Sequence, residues 1–309
     1  MLLVRPLNPD LKRKAEEELN ETPKKLEEGI KHLKEWISKQ PHLRARTDDQ
    51  WLAAFLRGCK HSLERAKEKI DLYYSLRTLS PDLFSVRPKD EKFKYLLHSG
   101  AGLPLPKLAS PLDPRVIIVT PRLYNPNKIT PIDFASFAHC FQQFKYLEDD
   151  AFMVNGFINI IDLEGITMGH FTQLTPTLLK KLVIAGQDAS PLRLKGLYFI
   201  NTIPAFEMIF NLLVKLLNEK HQKRLHMYSK DLTDLYKCVP LEIWPQESGG
   251  QGGTVQEIID YWEKKFDSYE NWFDEDLKFR TDESKRPGKP KTSESMFGVQ
   301  GSFRRLDVD

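Results

Sequence analysis

The first 88 residues carry apolar side chains at helical spacing between charged ones. Leu26, Ile30, Leu33 and Ile37 recur at intervals of three or four, which places them on one face of a helix. The same spacing continues through two further segments that contain Trp51, Phe55, Ile70 and Tyr73. We therefore predict a small helical domain over residues 10–88.

Short apolar runs rich in β-branched residues follow, separated by longer helical patterns. The runs are RVIIVT (115–120), FINIID (157–162), GLYFI (196–200) and a weaker one at 225–228. Helices are predicted over 131–147, 171–184 and 255–278. Strands that alternate with helices are typical of a parallel sheet covered by helices. We therefore predict an α/β fold with a mostly parallel sheet over residues 89–280.

Proline and glycine mark the segments between and after these units. Residues 81–114 are rich in both and are predicted to connect the two domains. Residues 281–309 combine proline and glycine with many serines and lysines, which predicts a disordered basic tail.

One segment is far more apolar than a single packing contact needs. Residues 203–217 read IPAFEMIFNLLVKLL, and their only polar members, Glu207, Asn211 and Lys215, recur at every fourth position. On a helix these three form one narrow polar stripe. The segment is too short to span a bilayer, which takes about 20 apolar residues. It is either a buried helix or a lid over a lipid cavity.

The position of the net positive charge along the chain bears on which classes of molecule the protein can bind. The chain carries 46 Lys and Arg against 43 Asp and Glu, a net charge of +3. From residue 278 to the end there are eight basic and five acidic residues, which accounts for all of that +3. The remainder is neutral, which argues against a nucleic-acid partner.

The sequence shows no catalytic or metal-binding pattern. It lacks a GxSxG elbow and an HExxH pair, and SGGQGGT (248–254) lacks the lysine of a phosphate loop. The histidines have no companions at metal-ligand spacing. Cys59, Cys140 and Cys238 are far apart, which favours free thiols in a reducing cytoplasm. No signal peptide or transmembrane segment is apparent. We expect no enzyme, cofactor or metal.

Four segments in order resemble the CRAL-TRIO family of lipid-transfer proteins, in particular its α-tocopherol transfer protein and cellular retinaldehyde-binding protein branch. They are FLRGCK (55–60), NIIDLEG (159–165), PLRLKGLYFINT (191–202) and WPQESGG (244–250). The resemblance spans residues 26–267. It implies a helical domain followed by an α/β lipid pocket, closed by a mobile helix at about residues 201–213.

The resemblance also implies particular residues. The lid face of the mobile helix would consist of Ile203, Phe206, Ile209, Phe210 and Leu213. Ala185, Gly186 and Ser190 are smaller than the bulky residues of that branch, so a retinoid, carotenoid or sterol-like cargo becomes an alternative to tocopherol. The implied pocket walls are Phe137, Phe141, Phe157, Ile161, Ala185, Leu192 and Leu197.

The same branch implies a basic surface beside the lid. Positions that match Arg193, Lys195, Lys220 and Arg224 form a phosphoinositide-binding patch in that branch. Such a patch, near an anionic membrane, would help a peripheral protein to open its lid there. Without the resemblance, we would interpret these four residues as an ordinary charged surface exposed to solvent.

Phosphatidylinositol transfer proteins of the family offer a different cargo. Lys60 and Lys237 match two of their inositol-phosphate contacts, but Cys59 and Leu192 replace an arginine and a glutamate. Losing those partners would leave a buried phosphate poorly compensated, so this cargo is disfavoured.

We therefore expect a monomeric, cytoplasmic carrier that binds and transfers a small hydrophobic lipid and contacts phosphoinositide-containing membranes. The alternative is a phosphatidylinositol or phosphoinositide-binding transfer protein or regulatory scaffold.

Overall fold

The computed structural model describes residues 2–298, and its N-terminal part is helical as predicted. Asn8 and Thr22 cap the first two helices by accepting hydrogen bonds from the backbone amides of Leu11 and Lys25, and a proline begins each helix. The helices are α1 (Pro9–Leu19), α2 (Pro23–Ser38), α3 (Asp49–Gly58) and α4 (Leu63–Leu79).

The helical part shares its core with the rest of the chain. The Trp51 ring packs against Tyr73 within the helical part at 5.8 Å, and against Tyr146 from the α/β part at 5.5 Å between ring centroids. At the end of α3, a Cβ on Gly58 would lie 2.1 Å from the carbonyl oxygen of Pro191, so only glycine permits this approach. The two parts are therefore packed directly against each other.

Residues 81–114 are more ordered than the predicted connection. They contain a 3₁₀ turn (Pro81–Phe84), helix α5 (Glu91–Ser99) and a short strand (Gly102–Pro104). The prolines and glycines lie at the boundaries of these elements, where they are compatible with order. The indole nitrogen of Trp262 donates a 2.7 Å hydrogen bond to the carbonyl of Pro104 and holds the strand in place.

The five-stranded sheet confirms the predicted α/β fold with a mostly parallel sheet. Its first strand is antiparallel to the second, and the remaining neighbours are all parallel. After a two-residue strand β1 (Leu43–Arg44), the strands follow sequence order, namely β2 (Gly102–Pro104), β3 (Arg115–Val119), β4 (Phe157–Asp162), β5 (Leu194–Ile200) and β6 (Leu225–Met227).

The middle helices differ from the prediction at one point. Of the expected helix over 171–184, only residues 176–183 are α-helical, and a π-helical turn (Ile184–Ala189) follows them; residue 171 ends a separate short helix. Thr175 caps a new helix that begins at Pro176. Lys69 donates to the carbonyls of Gln187, Asp188 and Ser190 and holds the π turn. The helices are α6 (Pro131–Glu148), α7 (Asp150–Asn155), α8 (Met168–Phe171) and α9 (Pro176–Val183).

The apolar segment at 203–217 forms a 3₁₀ turn (Pro204–Phe206) and then helix α10. The predicted helix over 255–278 divides at Ser268 and Tyr269 into two shorter helices. The helices of this region are α10 (Glu207–Leu216), α11 (Glu219–Gln222), α12 (Thr233–Cys238), α13 (Val255–Asp267) and α14 (Glu270–Asp276).

The expected disordered tail is wrong for residues 281–298. A last strand β7 (Arg280–Thr281) pairs with β1, and helix α15 (Ser293–Phe297) follows it. Arg286 and Lys291 both bind Asp71 of α4, and the Phe297 side chain is buried. These contacts give residues 281–298 a defined structure, and amino-acid composition alone does not reveal them. The rest of the predicted tail, 299–309, lies outside the described residues.

Candidate functional site: an apolar cavity under helix α10

A cavity of about 450 Å³ lies against one face of the sheet. Side chains alternate along β4, so Phe157, Asn159 and Ile161 face the cavity, whereas Ile158 and Ile160 belong to the core on the other face. Helices α6, α9 and α10 and the π turn form the remaining walls. The cavity therefore lies where the sheet, three helices and the helical part meet.

The structure brings all seven predicted pocket residues to this one cavity. Phe137 and Phe141 are four residues apart on α6 and therefore share a face. The small residues Ala185, Gly186 and Ser190 also line the cavity. A Cβ on Gly186 would meet no heavy atom within 4 Å, so this position leaves free volume. The residues predicted here and found in the lining are Phe137, Phe141, Phe157, Ile161, Ala185, Gly186, Ser190, Leu192 and Leu197.

Sequence reasoning missed the contribution of the helical part. Tyr73 and Leu76 of α4 and Leu83 and Phe84 of the following 3₁₀ turn line the cavity. Their helical spacing was visible, but apolar spacing does not distinguish a face packed on a helix from one that faces a cavity. The contact between the Tyr73 hydroxyl and His139 Nε2 brings α4 to the cavity, and such a tertiary contact is not visible in the sequence.

The predicted lid residues divide between two sides of α10 and its leading turn. Phe206, Ile209 and Leu213 line the cavity, and the Phe206 ring packs on Phe199 of β5 at 4.7 Å between centroids. Phe210 packs in the same apolar cluster without lining the cavity. Ile203, by contrast, is exposed. The segment thus covers the cavity with only part of its apolar surface.

The outward side of α10 combines polar and apolar groups. Glu207, Asn211 and Lys215 are exposed, as the predicted polar stripe requires. Met208 lies beside them with 78% of its surface exposed, and Met168 of α8 is 63% exposed. Large apolar side chains at this level of exposure gain by contact with another apolar surface. The sequence pattern did not single out these two methionines.

The cavity is electrically neutral. No Asp, Glu, Lys or Arg of residues 2–298 lines it. Burial, together with the nearby Arg77 and Arg87, lowers the pKa of His139 to about 3, so this imidazole is neutral at pH 7. His170 uses one ring nitrogen towards Thr167 and the other towards the carbonyls of Pro121 and Tyr124. His139 therefore supplies no positive charge to an anionic ligand.

The four predicted basic residues lie close together outside this lining. Arg193 pairs with Glu18 at 2.9 Å and also donates to the carbonyl of Val154, and Lys195 lies 3.6 Å from the same glutamate. Arg224 donates to the carbonyl of Leu194. The two arginines are thus tied to the framework, whereas Lys195, which is half-buried, makes a longer contact.

Lys220 adds the most accessible charge of this group. It is exposed at the start of α11. Burial, followed by the charges of Arg224, Lys60, Arg193 and Arg65, lowers its pKa. Because the positive charges of Lys60 and Arg65 act on the Lys220 ammonium, these two residues of the helical part lie near the predicted patch. Sequence spacing alone could not bring them there.

Within residues 2–298, no cluster of three or more His, Cys, Asp or Glu side chains is arranged to hold a metal ion. In the same range, no helix has the length and apolar character that crossing a membrane requires.

The fold and cavity define an α/β protein with a helical N-terminal part and an apolar, helix-covered chamber. Family models match two parts of the chain, the Pinta-like UBA domain at residues 22–93 and the CRAL/TRIO domain at residues 112–250. This chain belongs to the CRAL-TRIO family.

Two relatives agree with this assignment in sequence. The mouse α-tocopherol transfer protein-like protein is 30% identical over 81% of this chain and 72% of its own length. Human clavesin-2 is 27% identical over 92% of this chain and 85% of its own length. The crystal structure of Sfh5 covers 85% of this chain and 98% of its own at 14% identity and a TM-score of 0.47.

Proposed function

We propose that this protein binds one small hydrophobic lipid, of the tocopherol, retinoid or carotenoid kind, and transfers it between membranes. The observation that carries the proposal is the cavity of about 450 Å³, apolar and without a charged lining residue in the described chain, beneath α10. Membership of a lipid-binding family supports it. The relatives' names suggest a cargo class and do not identify the cargo.

Burial of apolar surface supplies the affinity. A ligand that removes roughly 300 Å² of apolar surface from water gains about 7 kcal/mol before the costs of association. No covalent bond is needed for retention. Release is then the difficult step, because the same surface must be returned to an apolar environment.

Helix α10 provides a route for release. Phe206, Ile209 and Leu213 cover the cavity from inside, and Ile203 and Met208 are exposed outside. Near a bilayer, the inner residues exchange cavity contacts for acyl-chain contacts at little cost in free energy. The membrane would therefore shift the population towards an open state through its differential affinity for that state.

The basic patch would direct this opening to anionic membranes. Each Lys or Arg near such a surface contributes about 1 kcal/mol. Lys195 and Lys220 are the more accessible of the four predicted residues, since Arg193 and Arg224 are held by backbone carbonyls. We infer that the two lysines make the headgroup contacts and that the two arginines position them.

The test is transfer of a fluorescent retinoid between vesicles with and without a phosphoinositide. We expect the Lys195→Ala/Lys220→Ala variant to slow transfer to phosphoinositide vesicles several-fold and to leave retinoid affinity unchanged. Lys264→Ala/Lys265→Ala on α13 removes the same charge outside the patch and should transfer like the unmodified protein. Vesicle binding without any cargo transfer would instead favour a phosphoinositide-responsive scaffold.

A further inference from the structure

One polar side chain of the cavity lining has an atom without a hydrogen-bond partner in the described part of the chain. Asn159 stands in the central strand β4, and its register neighbours across the sheet are the apolar Ile117 and Leu197. All three line the cavity. The Oδ1 atom of Asn159 is buried and has no hydrogen-bond partner in the described part of the chain, whereas the residue as a whole is half-buried and borders the cavity.

Several other polar groups of the lining have partners within the protein. The Tyr73 hydroxyl and His139 Nε2 bind each other at 2.9 Å. The Ser190 hydroxyl donates to the carbonyl of Ala185, and His221 binds Asn218. Within residues 2–298, Asn159 Oδ1 is the one fully buried lining atom left without a partner.

An unpartnered buried amide is costly to the protein. Natural structures satisfy the great majority of buried polar groups, and each exception calls for a reason. Leucine or valine at position 159 would continue the apolar face formed by Phe157 and Ile161 and would avoid the cost. A partner supplied by the cargo explains why a carboxamide stands there instead.

The chemistry of the surroundings restricts that partner. A carboxamide offers an acceptor oxygen and a donor nitrogen, and rotation about the Cβ–Cγ bond can present either to the cavity. A hydroxyl group satisfies both, because it donates and accepts. A carboxylate or phosphate would be buried without a counter-charge, since no cationic side chain lines the cavity.

We propose that Asn159 is the specificity-determining residue of the cavity and that it selects a lipid carrying an uncharged hydroxyl group, a lipid alcohol or phenol. This inference rests on the proposed lipid-carrier function. It goes beyond that function by excluding pure hydrocarbons and lipid anions as preferred cargo. The hydroxyl oxygen would lie against the middle of β4.

Three retinoids with the same carbon skeleton test the proposal. Retinol carries the hydroxyl, anhydroretinol carries no polar group and retinoic acid carries a carboxylate. Quenching of tryptophan fluorescence gives the three dissociation constants. We expect retinol to bind about three- to tenfold more tightly than anhydroretinol, the range of one net hydrogen bond. Retinoic acid should bind more weakly than retinol.

The Asn159→Leu variant should remove the discrimination. Its retinol-to-anhydroretinol ratio should fall to about one through loss of retinol affinity, with anhydroretinol bound at least as well as before. Ile160→Leu, a volume-conserving change on the opposite face of the same strand, outside the cavity lining, should keep the original ratio. An unchanged ratio in Asn159→Leu, with both retinoids still bound, would overturn this inference and leave the carrier function standing.

Thermal unfolding of the cargo-free variants separates a ligand role from a structural one. Replacing an unpartnered buried amide with leucine should raise the midpoint by about 2 °C or more. A lower midpoint would mean that the amide stabilises the fold, which contradicts the proposal. Failure of all three retinoids and of α-tocopherol to bind the unmodified protein would overturn both this inference and the carrier function.

Discussion

At the scale of single residues, the resemblance implied that Phe157 and Ile161 are pocket walls, and the alternation of side chains along β4 brings Asn159 to the same side. The pattern could not show that the amide of Asn159 lacks a partner. Partners are tertiary contacts, and they depend on which side chains the fold brings across the sheet. The contribution of Tyr73 remained hidden for the same reason.

Gly186 offers a direct test of cavity volume. Gly186 is exposed and borders the cavity, and a Cβ there meets no heavy atom within 4 Å, so Gly186→Trp should be accommodated without a steric clash, and an indole turned inward would occupy cavity volume. Overfilling a site costs about 1–3 kcal/mol, so retinol affinity should fall by about tenfold or more. Gly186→Ser adds little volume and should bind retinol like the unmodified protein. Equal affinity in the tryptophan variant would show that position 186 does not border the bound cargo.

At the scale of elements, the strands and helix α6 followed from the sequence, since the run FINIID begins and ends as β4 does and α6 ends one residue beyond its predicted range. The tail did not follow, because its order comes from distant contacts. Arg286 and Lys291 bind Asp71 of α4, and Lys180 of α9 binds the carbonyl of Gly298. The tail therefore braces α9, which is itself a wall of the cavity.

Phe297 should be important for stability. Its ring is buried, and the Lys181 ammonium lies 5.2 Å from the ring centroid. Phe297→Ala should lower the free energy of unfolding by about 3 kcal/mol, as measured by urea denaturation. Leu3 is 82% exposed, so Leu3→Ala serves as a control with little expected change. A Phe297→Ala variant as stable as the control would mean that the tail is not anchored.

A substitution at Met208 tests whether the outward side of α10 contacts the membrane. Met208→Asp removes an exposed apolar side chain and adds a charge that an anionic membrane repels. Co-sedimentation with anionic vesicles should fall at least threefold, whereas retinol affinity should stay the same because Met208 does not line the cavity. Met208→Leu should co-sediment normally. Normal binding by the aspartate variant would place the membrane contact elsewhere.

At the scale of the whole molecule, the helical part and the α/β part are held together by buried ion pairs as well as by aromatic packing. Arg57 of α3 binds Glu21 at 2.9 Å and Asp150 of α7 at 3.1 Å. Asp276 accepts from Arg46 and Arg77 and so joins α14 to the helical part. Charged residues in a sequence do not reveal their partners, which is why this coupling could not be predicted.

The buried carboxylates that pair with arginines, such as Glu21, predict that the stability of the fold decreases in acid. Burial raises the pKa of Glu21, but hydrogen bonds from His61 and Arg57 outweigh it and lower the pKa to about 2. A depressed carboxylate pKa gives stability that is present above the unfolded-state value near 4 and is lost as the pH falls towards 2. The melting temperature should therefore be steady from pH 7 to 5 and fall steeply between pH 4 and 2.

Glu21→Gln provides the comparison. It should melt at a lower temperature than the unmodified protein at pH 7 and show a shallower decline between pH 4 and 2. A decline as steep as that of the unmodified protein would show that Glu21 does not contribute to the acid sensitivity.

The central claim is that the cavity under α10 carries a neutral, hydroxyl-bearing lipid. Native mass spectrometry of the purified protein after incubation with a total lipid extract tests it most directly. The account predicts one bound molecule per chain, whose mass on release identifies an uncharged lipid alcohol or phenol. A bound phosphatidylinositol, or no retained lipid at all, would contradict the account.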